Sequence, residues 1–473
     1  MISGDRVSHG TLGIGTITKI YPEGPTALVD FGYMKELLPV ADLSVLAGQA
    51  EQYPGGAPRG RGAAAEGGSG TGARQPRLRE SRREDEAPVP TLSREVVEAR
   101  RAVVALRLGQ VLEARVSELS VGLQKVERQL DSALARSRDR HPAYVLVEGA
   151  WGGGKTHVLT LLEAVARRGG FATCSVVMDG VAVTLSDPMQ LMEAIANAMR
   201  FPADALPGAI MHHVSTAKTN GDLERLGRDG TRILGGVFGE LPRSTFENAD
   251  AVAVLEDYLS LGLAASSAKL QLKKLGFPGV ALPPLRARSL SDRSKRFCDL
   301  LHDWTKVCVA AGASGLVIIL DELDVEYAAT TWEGNQSLGR RARRTALLEA
   351  LSGLQSERIP LLVAFAAAPA GAGVEAENDA SRDIASVIGS LDEEIVAPIP
   401  RDAELRELGK KVFQLYRAAY PGSFSRGSSG AAERIADLLV AWYQRRANPV
   451  PRYFVRSALE VMDVMSMGGV GRP

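Results

Sequence analysis

Cysteine is scarce in this chain of 473 residues. Cys174, Cys298 and Cys308 are scattered, odd in number and fall in no metal-ligand spacing. That excludes a disulfide framework and a zinc ribbon, and points to buried, reduced thiols. The six histidines, His212–His213 included, show no ligand pattern either, and that pair is expected on a solvated loop. Neither sign of charge is in excess: 56 Lys and Arg balance 56 Asp and Glu, so no global basic field advertises nucleic acid, although a local patch stays open. No apolar run approaches the ~20 residues of a membrane span, and the N-terminus has no signal-peptide core, so a cytoplasmic protein is expected. The length exceeds one small core and implies two or three domains.

What is present is concentrated in two runs. Gly149–Thr156 reads Gly-Ala-Trp-Gly-Gly-Gly-Lys-Thr, behind an apolar strand (Tyr144–Glu148) and ahead of a helix (His157–Arg168). This is the spacing and setting of a phosphate-binding loop. Glycines let the main chain curl so that N–H groups face phosphate oxygens, and the helix N-terminus adds its positive end. Gly149, Gly152, Gly153, Gly154, Lys155, Thr156 and His157 are therefore the expected nucleotide contacts, with Lys155 on the β/γ-phosphates and Thr156 on Mg²⁺.

The second run is Leu-Val-Ile-Ile-Leu-Asp-Glu at Leu316–Glu322. Its unbroken apolar stretch marks a strand buried on both faces of a parallel sheet, and its carboxylates fall at the edge where α/β folds bind ligands. Asp321 is the expected Mg²⁺ partner and Glu322 the group that polarises an attacking water. The competing reading, that the pair only caps a following helix, loses weight once the phosphate loop is counted. A bound nucleoside triphosphate follows, with ATP and Mg²⁺ as the expected cofactors.

Around these runs the chain reads as five parts. Residues 1–46 alternate short apolar runs with Gly and Pro-Glu-Gly turns, the pattern of a small bent antiparallel barrel. Residues 47–90 are Gly, Ala, Arg, Pro, Ser and Glu with little to bury, a solvated tether. Residues 91–140 read as helix packing on the core, capped by Ser93, with Val97, Val104, Leu108, Val111 and Leu112 on one face. A break at Gly109 leads to a second helix carrying Val116, Leu119, Leu123, Val126 and Leu130. Residues 141–400 alternate strand and helix, interrupted by an insertion over about 203–284, because Lys155 and Asp321 are separated by far more than βα units of about 30 residues require. Residues 401–473 read as three helices, a C-terminal lid.

Resemblances sharpen this outline. Gly4-Asp5-Arg6-Val7, His9, Gly13-Ile14-Gly15-Thr16-Ile17 and Val29-Asp30-Phe31 resemble the Tudor/SH3-like module that closes UvrD-type helicases and opens CarD-type RNA-polymerase partners. The resemblance implies an SH3-like barrel that docks a protein or nucleic acid, or one that only decorates the core. In the core, a glutamate directly after the magnesium aspartate and an extra strand expected between the two motif strands resemble AAA-like, additional-strand P-loop ATPases. The fold class expected is thus α/β, a three-layer P-loop core with helical insertion and helical lid, plus the small all-β barrel.

Ala99–Gly109, Val121-Gly122-Leu123, the phosphate loop, Tyr258-Leu259 with Gly262, and Pro451–Asp463 further resemble the ATP-binding proteins of BREX bacteriophage-exclusion systems. That resemblance implies a P-loop ATPase acting with other defence proteins, a DNA helicase among them, against phage DNA. An ATP-gated scaffold with little hydrolysis is the alternative. Ala366-Ala367-Ala368-Pro369 favours it, since AAA-like enzymes place a polar γ-phosphate sensor there.

The AAA-like resemblance also implies two arginines. Arg382, between the last two core strands, stands where a finger acting on a neighbouring copy in a homo-oligomer is expected. Arg452 or Arg456, opening the final helix, fits the lid position. The cluster Arg340, Arg341, Arg343 and Arg344 has three readings, DNA phosphate contact, subunit interface or solvated helix face, of which the last carries most weight. Trp151 stacks on a base or partner, or packs on the loop surface.

Overall fold

The computed structural model describes five strand segments between Arg6 and Val45 and residues 92–202 except 111. It also describes residues 214 and 226, and residues 231–468 except 288, 332–334, 370–379, 390, 425–429 and 446–449. The tether expected over 47–90 and the pair His212–His213 lie outside the described residues. Two compact units emerge, Met1–Ala87 and Pro88–Pro473.

The first unit carries β1 (Arg6–His9), β2 (Gly13–Tyr21), β3 (Thr26–Asp30), β4 (Lys35–Pro39) and β5 (Leu43–Val45). They form one antiparallel sheet in the order β4-β3-β2-β1-β5. Short strands with short connections pair with their chain neighbours, while β5 returns beside β1. A register shift between Ile17 and Lys19 bends β2.

The second unit opens with α1 (Arg94–Arg107), α2 (Glu113–Leu119) and α3 (Gln124–Arg138). Two breaks separate them rather than the single one expected, because Gly109 (φ 76°) and Gly122 (φ 68°) both enter the left-handed region that stops a helix. The buried face of α1 also differs from expectation. Val104 and Leu108 are exposed, and Ala99, Ala102, Val103 and Leu106 are buried. Small alanines let another helix approach closely, which apolar spacing alone did not foretell.

There follow β6 (Ala143–Glu148), α4 (Lys155–Arg168), β7 (Ala172–Val177), α5 (Pro188–Ala198) and the short β8 (Met199–Arg200). The described part of the insertion holds α6 (Leu234–Glu240), α7 (Arg243–Glu247), α8 (Ala249–Leu259) and α9 (Ala265–Lys274). Next come α10 (Arg293–Ala310), β9 (Leu316–Asp321), α11 (Leu323–Thr331), α12 (Asn335–Gly353), β10 (Leu361–Ala367), α13 (Ala380–Ile388) and β11 (Glu393–Val396). Last are α14 (Asp402–Ala419), α15 (Ala431–Gln444) and α16 (Pro451–Gly468). Among the described residues no helix is long and apolar enough to cross a membrane.

The six strands of this unit run in the order β11-β6-β10-β9-β7-β8, parallel except for β8. β10 therefore lies between the strand that leads into the phosphate loop and the strand that ends in Asp321. Register aligns the carboxyl ends: Glu148 faces Ala367 and Val396, and Asp321 faces Val177. Both faces of the sheet are buried, so its strands alternate between two cores. Leu316, Ile318 and Leu320 of β9 pack with α5, α10, α12 and the insertion, while Val317 and Ile319 pack with α3 and α4. A strand covered on both sides must be apolar at every position, which is why these segments read as continuous runs. A third core joins α14, α15 and α16 to α1, so the first helix of the unit belongs with the C-terminal bundle.

A buried carboxylate pins the insertion. Asp303 of α10 is wholly inaccessible and accepts from the backbone N–H of Arg232 (2.8 Å), Ile233 (2.6 Å) and Leu234 (2.8 Å), and it meets His302 Nδ1 at 3.0 Å. Burial alone would raise its pKa; the His302 contact and the three backbone donors outweigh it and hold the carboxyl below its usual range.

Candidate functional site

The loop between β6 and α4 owes its shape to its glycines. Gly152 (φ 76°) and Gly154 (φ 104°) adopt left-handed backbone, and a Cβ on Gly153 would stand 2.8 Å from the Ala150 carbonyl oxygen. Gly153 N–H closes the curl onto that same oxygen at 2.8 Å. Helix α4 then starts at Lys155, so its first N–H groups and dipole end point into the loop.

Lys155 and Asp321 meet here despite the long stretch of chain between them. Lys155 is buried, and its Nζ donates to Gly149 O (2.8 Å) and pairs with Asp324 Oδ2 (3.2 Å). Thr156 Oγ1 donates to Asp321 Oδ2 at 2.8 Å. Asp321 is 5% exposed, and its other oxygen accepts the N–H of Glu322 at 2.8 Å. Two hard oxygen ligands this close, at the mouth of a phosphate loop, fit Mg²⁺. Among the described residues no cluster of three or more His, Cys, Asp or Glu is placed to hold a metal ion.

Glu322 sits in the left-handed region (φ 61°), a conformation costing a non-glycine residue about 1–2 kcal/mol. The turn aims its side chain into the cavity lined by the phosphate loop. Burial raises its pKa, the neighbouring Asp321 charge adds to this, and Lys155 and Arg452 oppose it. A carboxylate of raised basicity beside a loop of the phosphate-binding type is chemically able to act as a general base.

The cavity, of about 150 Å³, continues from the loop into an apolar end. Leu106 and Gly109 of the α1 end, Leu119, Val121 and Leu123 around α2, Leu408 of α14 and Val455 of α16 line it. Sequence reading assigned none of these to a ligand, since an apolar helical residue that lines a cleft carries the same signal as one that packs a core.

Arg452 also lines the cavity, 4.9 Å from the centre of the Trp151 ring. Trp151 is 62% exposed, so its contact is with the lid arginine and not with the core. Arg456, the other lid expectation, pairs instead with Glu460 on its own helix at 3.5 Å. His157 lines the cavity and its Nε2 meets Ser120 Oγ at 2.9 Å; burial lowers its pKa to about 4, so the ring is neutral. Its backbone remains in the first turn of α4.

Arg382 is exposed on α13, next to Ser381, whose hydroxyl donates to Ala368 O at 2.7 Å. The arginine cluster of α12 departs from a solvated helix face. Arg344 is fully buried with its guanidinium 3.5 Å from the centre of the Tyr327 ring and 3.6 Å from Asp383, and Arg343 donates to Ser186 O at 3.1 Å. The helix turns these two inward, Arg344 against an aromatic face and one carboxylate and Arg343 against a backbone carbonyl. Only Arg341 is exposed and Arg340 half-buried.

Known proteins were compared with the chain. No curated protein matches it. Among solved structures, one chain of the E. coli MS115-1 HORMA:CdnC:Trip13 complex aligns over 74% of this chain and 91% of its own, at 10% identity and a TM-score of 0.31. At that score the likeness is loose, and strand order and register alone carry the fold assignment. Residues 96–211, which hold most of α1, all of α2 through α5 and the whole phosphate loop, match the family model described as BREX system ATP-binding protein BrxC/D, so this segment is similar to a family named for ATP binding.

Proposed function

We propose that the chain is a Mg²⁺-dependent ATPase of the AAA-like, additional-strand kind, acting in a bacterial anti-phage assembly of the BREX type. The observation that carries this reading is the 2.8 Å bond from Thr156 Oγ1 to Asp321 Oδ2 beside the buried Lys155, which brings two remote motifs to one point. Lys155 neutralises β/γ-phosphate oxygens, and the loop N–H groups and the start of α4 orient them. Thr156 and Asp321 would hold Mg²⁺, which would supply charge neutralisation at the phosphates. Glu322 accepts a proton from the attacking water as its oxygen bonds to the γ-phosphorus and the bond to the β,γ-bridging oxygen breaks. The apolar end of the cavity takes the base, and Arg452 follows the lid. Arg382 acts on the neighbouring copy in a homo-oligomer, where a trans arginine is worth ~10³–10⁵ in rate.

The first unit is proposed as an SH3-like docking module for a partner, a defence-system protein such as a DNA helicase, or DNA. Direct DNA contact by α12 loses support from the burial of Arg344. A second reading, an ATP-gated scaffold with slow hydrolysis, draws on the alanines that end β10.

Glu322→Gln tests the enzyme reading. Removing the general base should lower turnover ~10²–10⁴-fold with ATP affinity retained. Unchanged turnover would remove Glu322 from the chemistry. Wild-type turnover below ~1 per minute with every partner and DNA, against ordinary enzymes near ~10 per second, would favour the scaffold.

A further inference from the structure

β10 ends at the site without a side chain able to hydrogen-bond, since Ala366, Ala367 and Ala368 offer only their peptides. A carboxylate from elsewhere reaches that gap. Asp324, on the first turn of α11, holds Lys155 Nζ with Oδ2 at 3.2 Å and accepts the Ala368 N–H with Oδ1 at 2.5 Å. The carbonyl of the same Ala368 accepts from Ser381 of α13 at 2.7 Å. The residue just past β10 is thus held from both sides, its N–H by Asp324 and its carbonyl by Ser381, and this clamp begins at the phosphate-loop lysine. On α13 it continues through Asp383 to the buried Arg344 of α12.

We propose that Asp324 is a positioning residue that competes with triphosphate oxygens for Lys155 and couples that lysine, through the Ala368 peptide, to the helix bearing Arg382. This rests on the triphosphate reading of the site. The physical basis is that one ammonium group cannot satisfy both partners fully. A triphosphate carries more negative charge than a single carboxylate and takes Lys155 when it binds. Asp324 then keeps the Ala368 N–H as its remaining strong donor and feels the phosphate charge as repulsion. The end of β10 and α13 respond to that change, so the γ-phosphate is sensed by a carboxylate on α11 in place of a polar side chain on β10. The sequence spaces the two duties three residues apart: Asp321 closes β9, and after the left-handed Glu322 the chain enters α11, whose first turn carries Asp324.

The test compares Asp324→Asn and Asp324→Ala in the full chain with wild type and Lys155→Ala, measuring the Kd for Mg·ATP, kcat and KM, with thermal melting as the check on folding. Asp324→Asn removes the competing charge but keeps an oxygen for the Ala368 N–H. It should tighten ATP about two- to five-fold, the range of a partly exposed ion pair. Asp324→Ala should tighten ATP similarly and lower kcat about 10–100-fold, as loss of an orienting partner does. Affinity and turnover then move in opposite directions, which general destabilisation of the site would not produce. Unchanged or weaker ATP binding by Asp324→Asn overturns the proposal, as does a kcat within twofold of wild type in Asp324→Ala. Where wild-type turnover is too slow to follow, the affinity result decides alone. ATP binding by wild type that Lys155→Ala abolishes supports the underlying site; absence of any wild-type binding overturns both readings.

Discussion

The two ends of the cavity are built in opposite ways. The phosphate end comes from two contiguous runs, Gly149–Thr156 and Asp321-Glu322, held by short polar bonds among Lys155, Thr156, Asp321 and Asp324. The apolar end comes from α1, the segment around α2, α14 and α16, each giving one or a few aliphatic side chains. One end is rigid main chain and charge; the other is a seam between the sheet and a helical bundle with its own core. A ligand that fills both would tie the bundle to the sheet.

Probes that separate the ends test this contrast. The largest effect is expected from Lys155→Ala, which removes the buried cation at the phosphate end. It should weaken ATP and inorganic tripolyphosphate alike by about 2–5 kcal/mol, measured by calorimetry. Equal loss with both ligands is the signature of the phosphate end.

A smaller effect concerns the hinge between the ends. His157 starts in the phosphate-loop helix and bonds Ser120 beside the apolar end. Its folded pKa of about 4 lies below the unfolded value near 6.5, so the unfolded chain binds more protons in between. Stability from this group is complete above pH ~6.5 and declines as pH falls toward ~4, by about 3 kcal/mol. Melting curves across that window should show the slope in wild type and a flatter one in His157→Gln. Equal slopes would mean that other groups carry the pH dependence.

The smallest effect belongs to the apolar end. Val455→Ala removes two methyl groups from the cavity wall and should weaken ATP by about 1 kcal/mol while leaving tripolyphosphate binding unchanged. Loss with both ligands would show that Val455 acts through the lid's packing and not on the base.

The same contrast explains what could be read in the sequence. Phosphate-loop glycines are required by backbone geometry, and a magnesium aspartate must end a buried strand, so both motifs keep a fixed local spacing. The strand between them is expected only from the AAA-like resemblance; the apolar run of β10 marks it as a strand covered on both faces but does not give its place in the sheet. Asp324 escaped notice because its meaning depends on Ala368, a backbone partner far along the chain. For the Arg340–Arg344 cluster a solvated face carries most weight because a basic run on a helix is usually exposed, whereas Arg344 is buried against the Tyr327 ring and Asp383. The buried face of α1 was misread because Ala99 and Ala102 pack by being small, a contribution that apolar spacing does not register.

The most direct test of the central claim, that both motifs act on one Mg·ATP, is the Mg²⁺ dependence of ATP affinity in wild type, Thr156→Ala and Asp321→Asn. The account predicts that Mg²⁺ tightens ATP binding to wild type, and that both variants lose this enhancement while keeping their Mg²⁺-free affinity. Full Mg²⁺ enhancement in Asp321→Asn would contradict it.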